Sequence, residues 1–184
     1  MITLVEINDR YISEIESFKS EVLAQDKDNE DRFAGCLGLE ECNSAAEWVE
    51  LCKLRKTEST CKMTGVEVPS TTYMAIRECD NRIVGIIDLR HHINHPILGA
   101  WGGHCGYCVR PSERHKGYAK EMLGMNIQNA KDMGILRMLI TCNESNVASE
   151  RIIMANGGVY ENSIEVDGCL IKRYWIETEG GIIS

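Results

Sequence analysis

Val109-Arg-Pro-Ser-Glu-Arg114-His-Lys-Gly117-Tyr-Ala119 is the stretch on which the fold turns. Pro111 closes an apolar run, and three basic side chains, Arg114, His115 and Lys116, crowd the segment that follows. Gly117 then stands where the backbone must turn into a helix with no side chain in the way. From Gly117 to Asp132, Ala119, Met122, Leu123, Ile127 and Ala130 fall on one helical face, and Gly134 stops the pattern. First-turn amides of such a helix have no internal partner and carry the positive end of its dipole. That combination suits a phosphate or pyrophosphate. A solvated basic turn capping a helix fits the same residues equally well. Neither G-x-x-x-x-G-K-[ST] nor G-x-G-x-x-G is present here, so triphosphate and dinucleotide readings lose their warrant.

Working outward, Leu136 to Cys142 is a short continuous apolar run, the pattern of a strand buried on both faces. Val147 to Asn156 reads as a short helix ending at Gly157-Gly158. Val159 to Val166 and Cys169 to Glu177 flank Asp167-Gly168 as a hairpin. Upstream, His104 to Arg110 is a strand candidate, preceded by a loop from His91 to Gly103. Arg82 to Arg90 and Thr71 to Cys79 form a hairpin around Asp80-Asn81. Ile2 to Ile7 alternates as a strand, and Tyr11 to Leu23 has helical spacing. Ser44-Ala-Ala-Glu47 is a capping box for a second helix, between irregular stretches at Asn29 to Asn43 and Thr57 to Ser70. The order β-α-α-β-β-β-α-β-α-β-β predicts an α/β fold: a mixed, twisted central sheet flanked by helices, with a parallel crossover in its second half.

A chain of 184 residues fits a single domain over 1–184, large enough to need no disulfide or metal staple. Its 20 Lys and Arg against 28 Asp and Glu give −8, which repels nucleic acid and anionic lipid as long-range partners. No apolar run approaches the ~20 residues of a membrane span, and the first residues lack the pattern of a signal peptide. Nine cysteines, an odd number, point to reduced thiols. Together these predict a cytoplasmic protein.

The quoted stretch resembles motif A of the GNAT N-acetyltransferases, (Q/R)-x-x-G-x-(G/A), matched by Arg114, Gly117 and Ala119 with the Val–x–Pro entry at Val109 and Pro111. Asn146-Val-Ala-Ser149 through Asn156-Gly157-Gly158 is similar to the family's second cofactor segment, and the element order fits the GNAT fold over nearly the whole chain. Val68-Pro-Ser-Thr-Thr-Tyr73, Gly103-His104-Cys-Gly-Tyr107 and Arg110-Pro-Ser-Glu-Arg114 resemble a bacterial subgroup of acetyltransferases. The resemblance implies acetyl-CoA as cosubstrate, with no metal. Backbone amides of Arg114, His115, Lys116, Gly117, Tyr118 and Ala119 would hold the pyrophosphate, and the Arg114 and Lys116 side chains would add charge. A bulge in the preceding strand would open a slot near Leu139 to Cys142, with the Val109 backbone on the pantetheine arm or the thioester carbonyl. Asn146 and Ser149 would line the far wall. Dimerisation is common in the family, and no residue pattern here specifies it.

The resemblance implies direct transfer of acetyl to a primary amine, with a small-molecule acceptor favoured over nucleic acid by the −8 charge. The acceptor pocket would come from roughly 29–70 and 91–102, where Asp31, Glu40 and Glu41 suit a cationic amine or a solvated face. His104 is the expected general base, with Glu40, Glu41 and Asp88 as alternatives and a structural strand histidine as the bland reading. Many relatives carry an acidic tyrosine seven residues after the asparagine; here that position is Ile153. Tyr118 and Tyr160 have no assignment in its place. Ile153 gives weight to a rival of another class, a non-catalytic acyl-CoA-binding module or sensor. A transferase acting on charged tRNA is a third reading, with no basic face to support it. Cys105-Gly-Tyr-Cys108 lies in a strand, where i and i+3 face opposite sides, so redox chemistry is not expected. His91-His92-Ile-Asn-His95 lacks the partners of a metal site.

Overall fold

In the computed structural model, which describes residues 1–178, the seven strands divide into two sheets. The first has the order β1 (Ile2–Glu6), β2 (Ser70–Arg77), β3 (Arg82–Arg90), β4 (Tyr107–Val109), every neighbour antiparallel. The second has the order β5 (Arg137–Asn143), β7 (Cys169–Glu177), β6 (Val159–Val166), again antiparallel throughout. Helices α1 (Ile12–Gln25) and α2 (Ala45–Leu54) cover one face of the first sheet through Phe18, Val22, Trp48 and Val49, which meet Met74, Ile83 and Ile86. The opposite face, with Ile87 and Leu89, packs on Met122 and Leu123 of α4 (Tyr118–Asp132) and continues into Met138 and Ile140 of β5. Helix α5 (Val147–Ala155) joins that second cluster through Ile153. Because β3 is covered on both sides, Ile83 to Leu89 is buried without interruption.

Local signals account for most element ends. Ser44 Oγ accepts the Glu47 N–H at 3.2 Å, and Glu47 reaches back to the Asn43 N–H at 2.9 Å, one residue earlier than a capping box requires. Asp167 and Gly168 both have positive φ, 49° and 79°, the twist a two-residue hairpin turn needs.

Three expectations change. The stretch 57–70 contains a short helix, α3 (Glu58–Cys61), capped by the Thr57 hydroxyl. The strand expected from His104 to Arg110 is only Tyr107–Val109 within the sheet. The β4–α4–β5 crossover links two sheets and not neighbouring strands of one ladder. β5 is an edge strand of its own sheet, and its unbroken apolar run is buried because the first sheet and α4 abut it. Residues 179–184, included in the single-domain expectation, lie outside the described residues.

Candidate active site

The two sheets touch at one point and separate beyond it. The His104 N–H donates to the Leu139 carbonyl at 2.7 Å, and the Leu139 N–H donates to His104 Nδ1 at 2.9 Å. Gly103 makes the contact: its φ of +67° is open to glycine, and a Cβ there would lie 2.7 Å from the Leu139 oxygen. Past this clamp, β4 and β5 share no hydrogen bond. Arg110 N–H donates to Val84 and Asp88 N–H to Gly106, so even-numbered residues of this segment face β3. By alternation the backbone groups of Tyr107 and Val109 face the gap. The Val109 carbonyl is taken there by Arg114 Nε at 3.2 Å.

At the far end of β4 the chain enters the basic loop. Pro111–Glu113 make one tight turn, His115 takes a left-handed φ of 62°, and Gly117 caps α4 at φ 86°. Among the described residues, no protein acceptor takes the backbone N–H groups from His115 to Lys120, whereas Glu121 N–H closes onto the Gly117 carbonyl. Unclaimed amides at the start of a helix, together with the positive end of its dipole, have the chemistry of an anion site.

The basic side chains behave differently from expectation. Arg114 forms a two-pronged pair with Asp26 at the end of α1, with Nη1 at 2.8 Å and Nη2 on the second carboxylate oxygen. That bonding holds the Asp26 carboxyl below the usual carboxylate range. Lys116 Nζ donates to Glu113 at 2.8 Å and to the Ser112 carbonyl at 3.2 Å. Glu113 is itself buried and also accepts from Arg77 at 2.8 Å. Burial pushes its carboxyl up, but the Lys116 and Arg77 bonds outweigh that and leave it lowered. Both cations expected to supply free charge are therefore paired within the protein. Tyr118 turns its hydroxyl to Arg77, 3.4 Å away.

On the second sheet's side, the Asn146 side chain caps α5 by accepting the Ser149 N–H at 3.0 Å. The Ser149 hydroxyl lies 2.8 Å from the Tyr107 hydroxyl, so the Tyr107 ring spans from β4 to α5. Tyr107, Asp26 and Glu113 had no assigned role in the sequence reading. Asp26 and Ser149 lie 88 and 42 residues from their partners, and no local pattern carries that information.

His104, the expected base, stands as a clamp between the sheets. It is 5% exposed, and its Nδ1 lone pair is committed to Leu139, which leaves the proton on Nε2 and no nitrogen free to accept another. Burial lowers its pKa from 6.5 to about 4. The imidazole therefore stays neutral in the fold while the unfolded chain takes up a proton between those values. Stability should then fall as pH drops from 6.5 to about 4, by on the order of 3 kcal/mol in full. Urea midpoints measured across that window should show the slope, and His104→Asn should flatten it; an unchanged slope would remove the clamp reading.

The remaining candidates take structural places. Asp88 accepts the Gly106 N–H at 2.5 Å and lies 3.1 Å from Arg90, and Glu40 pairs with Arg32. Glu41 and Asp31 stand exposed. Cys105 and Cys108 face opposite cores, and Cys108 Sγ lies 3.3 Å from Cys36 Sγ. All nine cysteines are free. His91 bonds Thr71 at 2.9 Å and His95 lies 3.4 Å from Glu67. Among the described residues, no three His, Cys, Asp or Glu side chains converge to hold a metal ion, and no helix is long and apolar enough to cross a membrane.

The family model of the acetyltransferase (GNAT) domain matches residues 40–159. No curated protein sequence matches the chain. Among solved structures, the chain is similar to RimL, a ribosomal-protein alpha-N-acetyltransferase in complex with coenzyme A, at 16% identity and TM-score 0.65, covering 96% of this chain and 93% of that one. It is similar to the microcin C7 self-immunity acetyltransferase MccE in complex with acetyl-CoA and AMP, at 17% identity, TM-score 0.65 and coverage of 96% and 92%. A spermidine N-acetyltransferase chimera from Vibrio cholerae SpeG and hSSAT aligns at 14% identity, TM-score 0.62 and coverage of 96% and 95%. At these identities the likeness is one of fold.

Proposed function

We propose that this chain, which belongs to the GNAT acetyltransferase domain family, is a single-domain enzyme that moves acetyl from acetyl-CoA directly to a primary amine. The observation that carries this reading is the run of unclaimed N–H groups from His115 to Lys120, set at the mouth of the gap between the sheets. A pyrophosphate bridging those amides would direct a pantetheine arm along the outward backbone edge of Tyr107 and Val109. Acetyl-CoA supplies an activated acyl carbon. The protein's share is to hold it and to donate to the carbonyl oxygen from the β4 backbone as charge develops there. Asn146 orders the first turn of α5, and with Ser149 it forms the opposite wall. The amine gives up its proton to solvent, since His104 has no free lone pair.

For the acceptor, the net charge of −8 favours a small cationic amine over a polyanion. The solved relatives named above include enzymes for a protein alpha-amino group and for spermidine, both primary amines. Incubation of the protein with acetyl-CoA and a panel of polyamines, aminoglycosides and amino-terminal peptides should release free thiol with at least one of them. Binding of acetyl-CoA with no thiol release from any amine would favour a sensor module in its place.

A further inference from the structure

We propose that Cys36 and Cys108 form a disulfide under oxidising conditions, a two-electron switch that staples the loop 26–44 to β4. The inference stands apart from acyl transfer, and its test uses no acyl donor. Cys36 Sγ and Cys108 Sγ lie 3.3 Å apart inside the first core, although 72 residues separate them along the chain. Among the described residues no other two cysteine sulfurs meet in this way. A disulfide bond is about 2.05 Å long, so each side chain has to give by roughly 0.6 Å. Cys105 cannot compete for this pairing, because it faces the other core. The C-x-x-C motif is therefore not the redox unit, and Cys108 meets its partner across space.

Backbone packing aligns the two thiols. Gly35 and Gly106 lie against each other with no side chain between them, and a Cβ at Gly106 would sit 2.7 Å from the Gly35 nitrogen. The Cys36 N–H closes a turn onto the Phe33 carbonyl at 2.8 Å. Next to it, the Leu37 carbonyl takes the Trp48 indole N–H at 2.9 Å. Those bonds keep Cys36 beside β4. The rest of the segment between α1 and α2 is turns, with neither helix nor strand, and 27–31 stand exposed. Such a segment opens locally at a lower free energy than the sheet it covers.

In the closed state both thiols are sheltered. Cys36 is 1% exposed and Cys108 7%, and burial pushes the Cys36 thiol well up. Reaction therefore begins when the loop lifts. Cys36 gives its proton to water, and the thiolate attacks a small disulfide, forming one sulfur–sulfur bond and breaking another. One half of the oxidant leaves as a thiolate and takes up a proton. Cys108, deprotonated in turn, attacks the Cys36 sulfur of the mixed disulfide, and the second half leaves in the same way. The protein has given up two electrons and two protons, and the oxidant has become two thiols. Excess thiol reverses both steps. Once closed, the bond denies the loop its freedom to lift and ties it to the strand that carries Tyr107 and Val109.

The test uses the Cys79→Ser, Cys169→Ser protein, which lacks the two exposed thiols and keeps seven of the nine. Oxidised glutathione should lower the thiols titrated in denaturant from seven to five. Tryptic peptides 33–53 and 91–114 should then be recovered linked, and reductant should part them. Cys36→Ala or Cys108→Ala should abolish the link, whereas Cys42→Ala and Cys105→Ala should keep it. The linked protein should melt about 5–10 °C higher. Trypsin acting on the folded protein should cut after Lys27 and Arg32 about tenfold more slowly once the link has formed. Three results would overturn the assignment: seven free thiols after oxidation, glutathione retained on either cysteine, or a link that survives Cys36→Ala or Cys108→Ala. A mapped bond that leaves melting and cleavage unchanged would overturn the staple.

Discussion

Acetyl-CoA at about a hundred times its dissociation constant should stabilise the wild-type protein by about 2.7 kcal/mol, a rise of roughly 5–10 °C in Tm for a domain of this size. Gly117→Glu should abolish that rise. Gly117 sits at φ 86°, and a Cβ there would meet no atom within 4 Å, so the variant has room to fold. Its cost to the free protein is the left-handed conformation, about 1–2 kcal/mol. The added carboxylate would reach the unclaimed amides, satisfy them from within and repel a phosphate. Gly117→Ala carries the same strain without the charge and should keep most of the rise. Lys116→Ala should also keep most of it, because the Lys116 ammonium is held by Glu113 and Ser112. Melting curves with and without the ligand decide the matter. A full rise in Gly117→Glu would place the pyrophosphate elsewhere.

Arg110→Met should cost about 3 kcal/mol in urea unfolding, the largest stability loss expected from a single side chain near the site. Arg110 is 1% exposed and lies immediately after β4. Its Nε donates to the Ile83 carbonyl at 2.7 Å, and its two amino groups reach Glu14 at 3.3 Å and Glu21 and Ser17 at 3.2 Å. The guanidinium also stands 5.6 Å from the centre of the Phe18 ring. Methionine fills the volume but leaves these acceptors without their donor. Glu21 keeps Arg82 and the Ser112 N–H, and Glu14 keeps the Ile83 N–H, so the loss sits at the low end for a broken buried pair. Arg110→Lys should recover less than half, since one ammonium cannot reproduce the fork. A loss under 1 kcal/mol for Arg110→Met would mean that the network contributes nothing net.

Much of the fold is legible along the chain because its signals are local. Arg82 to Arg90, Val159 to Val166 and Cys169 to Glu177 match their strands residue for residue, each bounded by turn chemistry of short range. Helix α4 begins where Gly117 must sit left-handed and ends beside Gly134. The misread segments are those whose conformation answers to a distant partner. His104 and Cys105 have strand-like neighbours, yet the His104 N–H turns to Leu139 while its carbonyl still takes the Arg90 N–H, and only Tyr107–Val109 is regular strand. Likewise, the apolar run of β5 records burial on both faces but not which strand lies beside it.

By itself, then, the sequence determined the order of elements, the glycine-opened helix after a basic loop and the acidity that turns the protein away from polyanions. Each depends on side-chain period, backbone freedom or summed charge, all properties of neighbours in the chain. Tertiary structure alone decided which charges are free and where the gap opens. Asp26 and Glu113 pair with Arg114 and Lys116, so the proposed anion site rests on backbone amides. His104 closes one end of the gap as a clamp, and Tyr107 meets Ser149 across it. Ion pairs and hydrogen bonds depend on separations of a few ångströms in space, and packing brings together residues that the chain keeps dozens of positions apart.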